Sequence, residues 1–498
     1  MGYTKVEDVL QDLGGYSKYQ KWLSLALIFP QFPTALIVLS PIFTGTSNVP
    51  LLCPTSSIRH NSTDACINAL NCTDDSENFE FVSIVQEWNL VCSMSWVTDT
   101  ITSFQMSGMM IGAFVSSIFS DTYGRKKCFI IQTFLMGLLG MAPALASGPW
   151  SYAVARFFAG FSVGATFVVY LSHLTEFLVP SWRNICGALS FYPIAEMVLP
   201  LLACLIGSWR LLTFATAIPA LFLLAFYRFI LESPRWLLVK NRPDEAHKVF
   251  EKIAEWNSKP VPRLDEIKEL QSVILKQETA ALSGLKAMKT IMKNQTLRRN
   301  LIIETFCVVT CAIVFYGVSF NAKNLGGNKY LNVFYMGVLD FVASPASMLF
   351  SNCMGRRKTF MIFMFSGTTF MIAIVFLLML NPYGSSSPII VIALSLGGRF
   401  FIVAGWSGLK VMILETSPTN LRATCIGLTV FAGYFGGVLS PQLATLATVS
   451  PALPYIILSS MTVLSSIFSW FLSEMLEKPL TDTMELDVRV ADKNRDEQ

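Results

Sequence analysis

Five ionisable side chains lie well inside stretches of this chain that are otherwise apolar: Arg156, Glu196, Asp340, Arg399 and Lys410, with Glu304 nearer a stretch end. A charge at the centre of a lipid-embedded helix costs about 2.5 kcal/mol or more, so such a group faces a cavity or an opposite charge. The chemistry this permits is recognition of a small charged molecule and the exchange of ion pairs between helices. Glu196 and Lys410 are expected either to neutralise each other or to meet the two poles of one ligand. Arg156 and Arg399 serve either to position helices or to contact that ligand.

A second set of charges is repeated. Asp121 to Lys127 reads Asp-Thr-Tyr-Gly-Arg-Lys-Lys, and Asn352 to Lys358 reads Asn-Cys-Met-Gly-Arg-Arg-Lys. Arg156, Glu176 and Arg183 follow the first block, and Arg399, Glu415 and Arg422 follow the second, with the same seven-residue step from Glu to Arg. A lone basic turn would only fix topology. Two matching sets point to a gate, in which Asp121, Arg125, Glu176 and Arg183 form a network that breaks when the molecule opens, with Arg356, Glu415 and Arg422 as counterparts.

Positioning these groups requires a membrane bundle. Of 498 residues, 53% are hydrophobic and 14% charged, with a mean hydropathy of +0.52, whereas soluble domains carry roughly 25% charged residues. Apolar runs long enough to span a bilayer fall near 22–43, 97–119, 128–147, 150–172, 185–206, 211–230, 300–321, 331–351, 359–380, 388–411, 423–444 and 452–473. The expected fold is therefore an all-α membrane protein of twelve transmembrane helices in two six-helix repeats, 22–230 and 300–473. A charged segment at 231–299 separates them, and its helical periodicity over Glu245–Trp256 and Leu264–Ile274 predicts short bracing helices. The run at 1–21 is too polar, and the first apolar run too long, for a cleavable signal peptide.

Short Lys- and Arg-rich loops stay on the cytoplasmic side, which puts both termini (1–21 and 474–498) and the central segment there, and loop 44–95 outside. That loop carries the disulfide candidates Cys53, Cys66, Cys72 and Cys92, whose three pairings stay open, and the glycosylation acceptors Asn61 and Asn71. Asn294-Gln295-Thr296 fits the same acceptor pattern on the wrong side. Gly108, Gly112, Gly160 and Gly164 have the spacing of close helix packing. His173 is read as a packing residue. No Walker loop, metal-ligand cluster or nucleophile–base arrangement is present, so no enzyme activity, cofactor, metal or nucleic-acid partner is expected. The expected partners are a small organic ion and the lipid bilayer, with transport driven by gradients.

The chain resembles the organic cation, organic anion and carnitine transporters (solute carrier 22-like) of the major facilitator superfamily. The resemblance runs through Glu87-Trp88-Asn89-Leu90-Val91-Cys92, the Asp121 block, Glu232-Ser233-Pro234-Arg235-Trp236-Leu237, Phe315-Tyr316-Gly317 and Asn324 to Asn332. It implies the superfamily fold, alternating access at the plasma membrane, and a cavity walled by Phe315, Tyr316, Phe431 and Tyr434. Asp340 matches an acidic position common in the family. Two departures bear on function. Asn352 stands where the second gating block is usually acidic. Tyr434 and Ser344 stand where related carriers place the groups that set substrate sign, an aspartate or arginine and a lysine. The expected function is polyspecific transport of organic cations or zwitterions such as carnitine-like compounds, through Glu196, Tyr316, Asp340, Arg399, Lys410 and Tyr434. The alternatives are an anion carrier, which Lys410 favours, and a non-transporting receptor of the same fold.

Overall fold

The computed structural model describes residues 3–46, 81–179, 182–183, 186, 190–227, 229–280, 284–380, 388–417, 421–447 and 450–472. Asn61, Asn71, Cys53, Cys66 and Cys72 lie outside the described residues, as do the side chains of Cys92 and Arg422.

The first half comprises α1 (Val6–Asp12), α2 (Lys18–Thr44), α3 (Trp96–Tyr123), α4 (Arg125–Leu145), α5 (Pro149–Glu176), α6 (Tyr192–Ile206) and α7 (Trp209–Phe226). Four shorter helices connect the halves: α8 (Pro234–Val239), α9 (Pro243–Asn257), α10 (Leu264–Ala280) and α11 (Gly284–Lys293). The second half comprises α12 (Gln295–Asn321), α13 (Lys329–Met354), α14 (Arg356–Leu380), α15 (Pro388–Thr416), α16 (Arg422–Leu446) and α17 (Leu453–Ser469). Among the described residues, ten helices are long and apolar enough to cross a membrane, and α6 and α17 are shorter apolar helices. The helix α15 runs unbroken through Arg399 and Lys410.

Local chemistry sets the boundaries. Gly124 (φ 104°) and Gly355 (φ 94°) adopt backbone angles that a side chain disfavours, and each breaks one helix and starts the next. Asn294 and Asn328 cap α12 and α13 by accepting from the backbone N–H groups of Thr296 and Leu297, and of Tyr330 and Leu331. The acceptor-like triplet at Asn294 is thus a helix cap.

Helix α3 lies against α5 with almost no space between backbones. A Cβ at Gly108 or Gly112 would strike the carbonyl of Phe157 or Phe161, and one at Gly160 or Gly164 that of Gln105 or Met109. Helix α12 packs similarly on α16, and the halves meet along α3–α16 and α6–α13. Large apolar side chains such as Phe114, Leu205 and Phe365 point outward, as a lipid-facing surface requires.

The connecting helices do not bridge the halves evenly. Helices α1, α8, α9 and α10 pack with the near ends of α2, α4 and α5 into one apolar cluster that contains Val9, Tyr19, Phe129, Phe177, Phe250 and Leu270. Helix α11 joins the second half through Ile291, Leu297, Leu421 and Cys425.

Candidate functional site

The buried charges converge between the halves. From α15, Arg399 holds Asp340 of α13 in a two-point bond, Nε to Oδ1 at 3.1 Å and Nη2 to Oδ2 at 2.7 Å. Its Nη2 also donates to Glu196 Oε1 of α6 at 2.8 Å. The remaining nitrogen donates to the Ser319 hydroxyl and the Phe315 carbonyl, and the Phe315 ring covers the guanidinium at 4.4 Å. All three charged side chains are buried. Two carboxylates therefore share one guanidinium, and Glu196 Oε2 has no partner. The Arg399–Glu196 bond crosses between the halves, because Asp340 and Arg399 come from the second half and Glu196 from the first.

Of the two arrangements expected for Glu196 and Lys410, their direct pairing does not occur. Lys410 lies eleven residues beyond Arg399, three turns of the same helix and about 16 Å along its axis. Arg399, on the same face, reaches Glu196 first. Lys410 is exposed, with its ammonium 5.2 Å over the Trp406 ring and no carboxylate in ion-pair range among the described residues. Trp406 lies 5.5 Å from Phe315, which contacts Tyr316 at 5.0 Å and Tyr192 of the first half at 6.1 Å. An aromatic path thus joins Lys410 to the triad. The hydroxyls of Tyr192 and Tyr434 are buried and unpartnered, and Tyr434 lies near Tyr316 and Tyr170. Phe431 departs from this wall: it is half-exposed and packs on Phe114. Ser344 bonds Ser407.

Arg156, the first-half counterpart of Arg399, has a different environment. It donates to the Tyr152 hydroxyl, Ser40 Oγ, Gln105 Oε1 and the Ile37 carbonyl, all in the first half. That arrangement fits helix positioning. Glu304 is buried and accepts from Thr416. His173 is buried and donates from Nε2 to the Leu231 carbonyl.

At the end carrying the basic turns, Arg125 bonds Asp121 at 2.5 Å and Glu176 at 3.0 Å. Arg183 does not join them. Its guanidinium goes to Glu7 of α1 at 2.8 Å and to the Thr175 carbonyl, because α1 docks beside it. Sequence reasoning missed Glu232, whose Oε1 accepts from the first N–H groups of α4, those of Arg125 (2.7 Å) and Lys126 (3.0 Å). A carboxylate is favoured at a helix N-terminus. Its approach leaves no room at Gly124, where a Cβ would come within 2.6 Å. In the second half Arg356 bonds Glu415 at 3.1 Å, and where Asn352 replaces the acid, Arg356 Nη1 bonds the Ser351 carbonyl.

Comparison with known proteins bears on what this arrangement does. The profile of the family described as Sugar (and other) transporter matches residues 64–485. The chain belongs to that family of membrane transporters. It is 30% identical over 411 residues to the organic cation transporter protein of Drosophila melanogaster, covering 81% of this chain and 73% of that one. It is 31% identical to solute carrier family 22 member 4 of Mus musculus, covering 81% and 72%, and 28% identical to organic cation/carnitine transporter 2 of Homo sapiens, covering 83% and 73%. Among solved structures, the proton:xylose symporter XylE bound to 6-bromo-6-deoxy-D-glucose superposes with a TM-score of 0.64 at 15% identity, over 93% of this chain and 98% of that one. The fold is that of the major facilitator superfamily.

In this transporter further bonds between the halves, among the described residues, lie at the end opposite the basic turns. Asp99, in the first turn of α3, bonds Lys323 and also accepts from Thr445 of α16 at 2.8 Å. Gln442 bonds Ser103 nearby, and Phe43 stacks on Tyr330 at 5.5 Å. Among the described residues, bonds at the basic end stay within one half. The described state is closed at the Asp99 end. Sequence reasoning passed over Asp99 and Lys323, since charges at span ends attract no notice. Glu87, quoted only within the family string, accepts from Trp209 Nε1 at 2.7 Å and from Arg210, a role the sequence did not reveal. Burial pushes the Glu87 carboxyl up, but those two bonds outweigh it and hold it below the usual carboxylate range.

Proposed function

We propose that this transporter carries small organic cations, or zwitterions that contain a cationic centre, across the plasma membrane by alternating access. The observation that supports this is the interior triad, where two carboxyl groups share one guanidinium. With Arg399 committed to two points of Asp340, Glu196 keeps one oxygen unpartnered. A cation entering the space beside it would meet that oxygen and the aromatic faces of Phe315, Tyr316, Trp406 and Tyr434. The names of the relatives, which include organic cation and carnitine transporters, support the same class.

Glu196, Tyr316, Asp340, Arg399 and Tyr434 would form the contacts to the cationic centre, and Lys410 would meet only the carboxylate of a zwitterion. Asp121, Arg125, Glu176, Arg356, Glu415 and Arg422 would hold the cytoplasmic end in one state, while Arg156 positions helices and Arg183 tethers α1. On this reading both termini are cytoplasmic, and the outer loop bears glycans at Asn61 and Asn71 and disulfides among Cys53, Cys66, Cys72 and Cys92.

The test is uptake in voltage-clamped oocytes of a quaternary ammonium, a carnitine-like zwitterion and an aromatic carboxylate at two holding potentials. Saturable ammonium entry that grows with inside-negative potential is the expected result, since a cation gains about 2.3 kcal/mol per 100 mV. Entry of the carboxylate alone would refute the reading. One observation favours that second reading, the ammonium of Lys410, which lies over Trp406 and has no carboxylate in ion-pair range among the described residues. Under it, Lys410→Gln abolishes carboxylate uptake, whereas the cation reading leaves ammonium uptake intact in this variant.

A further inference from the structure

Behind the wall of the space between the halves, the first half buries a polar side chain that stands outside every ion pair described above. Gln31 is 6% exposed and lies on α2. The regular bonding of that helix lapses at Phe29 and Pro30, and Gln31 is the first residue after the lapse. Pro30 has no N–H to give to the preceding turn, which accounts for the break. The Gln31 side chain reaches two further elements from there.

Its amide makes three hydrogen bonds. Nε2 donates to the Tyr170 hydroxyl of α5 at 2.5 Å. Oε1 accepts from Ser190 Oγ at 2.5 Å and from the Phe191 N–H at 3.1 Å. Ser190 Oγ in turn accepts from the N–H of Tyr192, the residue that opens α6, at 3.1 Å. A backbone N–H only donates, so the amide oxygen must face Phe191 and the amide nitrogen Tyr170. The Tyr170 oxygen is thereby an acceptor, and its own hydrogen is directed away from Gln31.

Both ends of this bridge lead to the space between the halves. Tyr170 lies near Tyr434 of α16, whose buried hydroxyl has no partner among the described residues. Tyr192 sets its ring 6.1 Å from Phe315 of the second half, and Glu196 follows one turn later on α6. Residues four apart on a helix share a face, so the angle at which α6 starts governs where Tyr192 and Glu196 point.

We propose that Gln31 positions the substrate site from behind, by fixing the Tyr170 hydroxyl and the first turn of α6 and, through them, the aim of Tyr192 and Glu196. This rests on the reading of the space between the halves as the binding site. Gln31 acts through these neighbours and not by contact with the substrate.

The test compares the full-length wild type with Gln31→Met, which keeps the length but removes both polar groups, and with Ser190→Ala, which removes only the relay to Tyr192. Hydrogen exchange in lipid nanodiscs, without substrate, should quicken at the Phe191 and Tyr192 amides in Gln31→Met and at Tyr192 in Ser190→Ala. In uptake assays the KM for a quaternary ammonium should rise about threefold to tenfold in Gln31→Met, the worth of one hydrogen bond, with the maximal rate per transporter at the surface unchanged. Ser190→Ala should move KM the same way by less. The double variant should be no worse than Gln31→Met, because both residues act along one path. Unchanged exchange would overturn the assignment, and so would two KM effects that multiply independently. A lowered maximal rate with unchanged KM would reduce Gln31 to a packing residue. If the wild type carries an aromatic carboxylate and not the ammonium, the cargo reading alone fails, and the exchange together with the KM for the carboxylate decides the role of Gln31.

Discussion

Replacing Asp99 by Asn should tip the transporter away from the state described here. Asp99 is the one carboxylate that holds both Lys323 and Thr445 at the closed end, and both side chains of the ion pair are largely buried, at 8% and 13% exposure. Asn keeps the shape and can still accept from the Thr445 hydroxyl, so the loss is confined to the charge-assisted bond to Lys323. Such bonds contribute about 1.5–3 kcal/mol. The clamp spans the two halves and exists only while this end is shut, so its whole contribution favours this state over the one open at the same end. At 1.36 kcal/mol per factor of ten, the equilibrium shifts about tenfold to a hundredfold toward opening. Paired spin labels at the Asp99 ends of α3 and α16 would report this as growth of a long-distance population, measured without substrate. Lys323→Gln should produce a similar shift, and the exchange Asp99→Lys with Lys323→Asp should reverse it in part. Identical distance distributions in Asp99→Asn and wild type would refute the reasoning, because the pair would then carry no preference between states.

Two further outcomes follow from the geometry. Gly160→Val sets a side chain against the Gln105 carbonyl, which cannot yield without separating α3 from α5; overpacking costs about 1–3 kcal/mol, so Tm and yield should fall, and an unchanged Tm would contradict the close contact. The Glu87 carboxyl is held below its ordinary value of 4.5, so its bonds to Arg210 and Trp209 contribute fully above that value and are lost as pH falls through the lower folded value. Thermal unfolding between pH 7 and pH 3 should show this acid-side loss in the wild type and a shallower one in Glu87→Gln, which lacks the carboxylate at every pH.

The helical plan was legible because lipid imposes it: a span needs about twenty apolar residues, and the runs in this sequence have that length. The glycine turns were legible too, since Gly124 and Gly355 adopt backbone angles that other residues avoid. Partner choice was not. Glu196 and Lys410 looked complementary by sign, but whether they meet depends on where the two halves touch. Rise along α15 places Lys410 three turns from the contact. Arg183 was similarly misassigned, because its partner Glu7 lies 176 residues earlier and reaches it only after α1 docks. Glu232 was visible within a recognised string, but its task of capping α4 required knowing that the chain returns to that helix.

The split among the connecting helices bears on how the protein is made. Everything that seals the base of the first half, from α1 to α10, precedes Ala280 in the chain, while the helix that belongs to the second half starts at Gly284. A ribosome therefore finishes the first bundle together with its own cap before any span of the second has been synthesised. Only the interior triad and the Asp99 clamp must wait for the nascent second bundle. The first six spans have the makings of an autonomous biosynthetic unit, onto which the later six assemble.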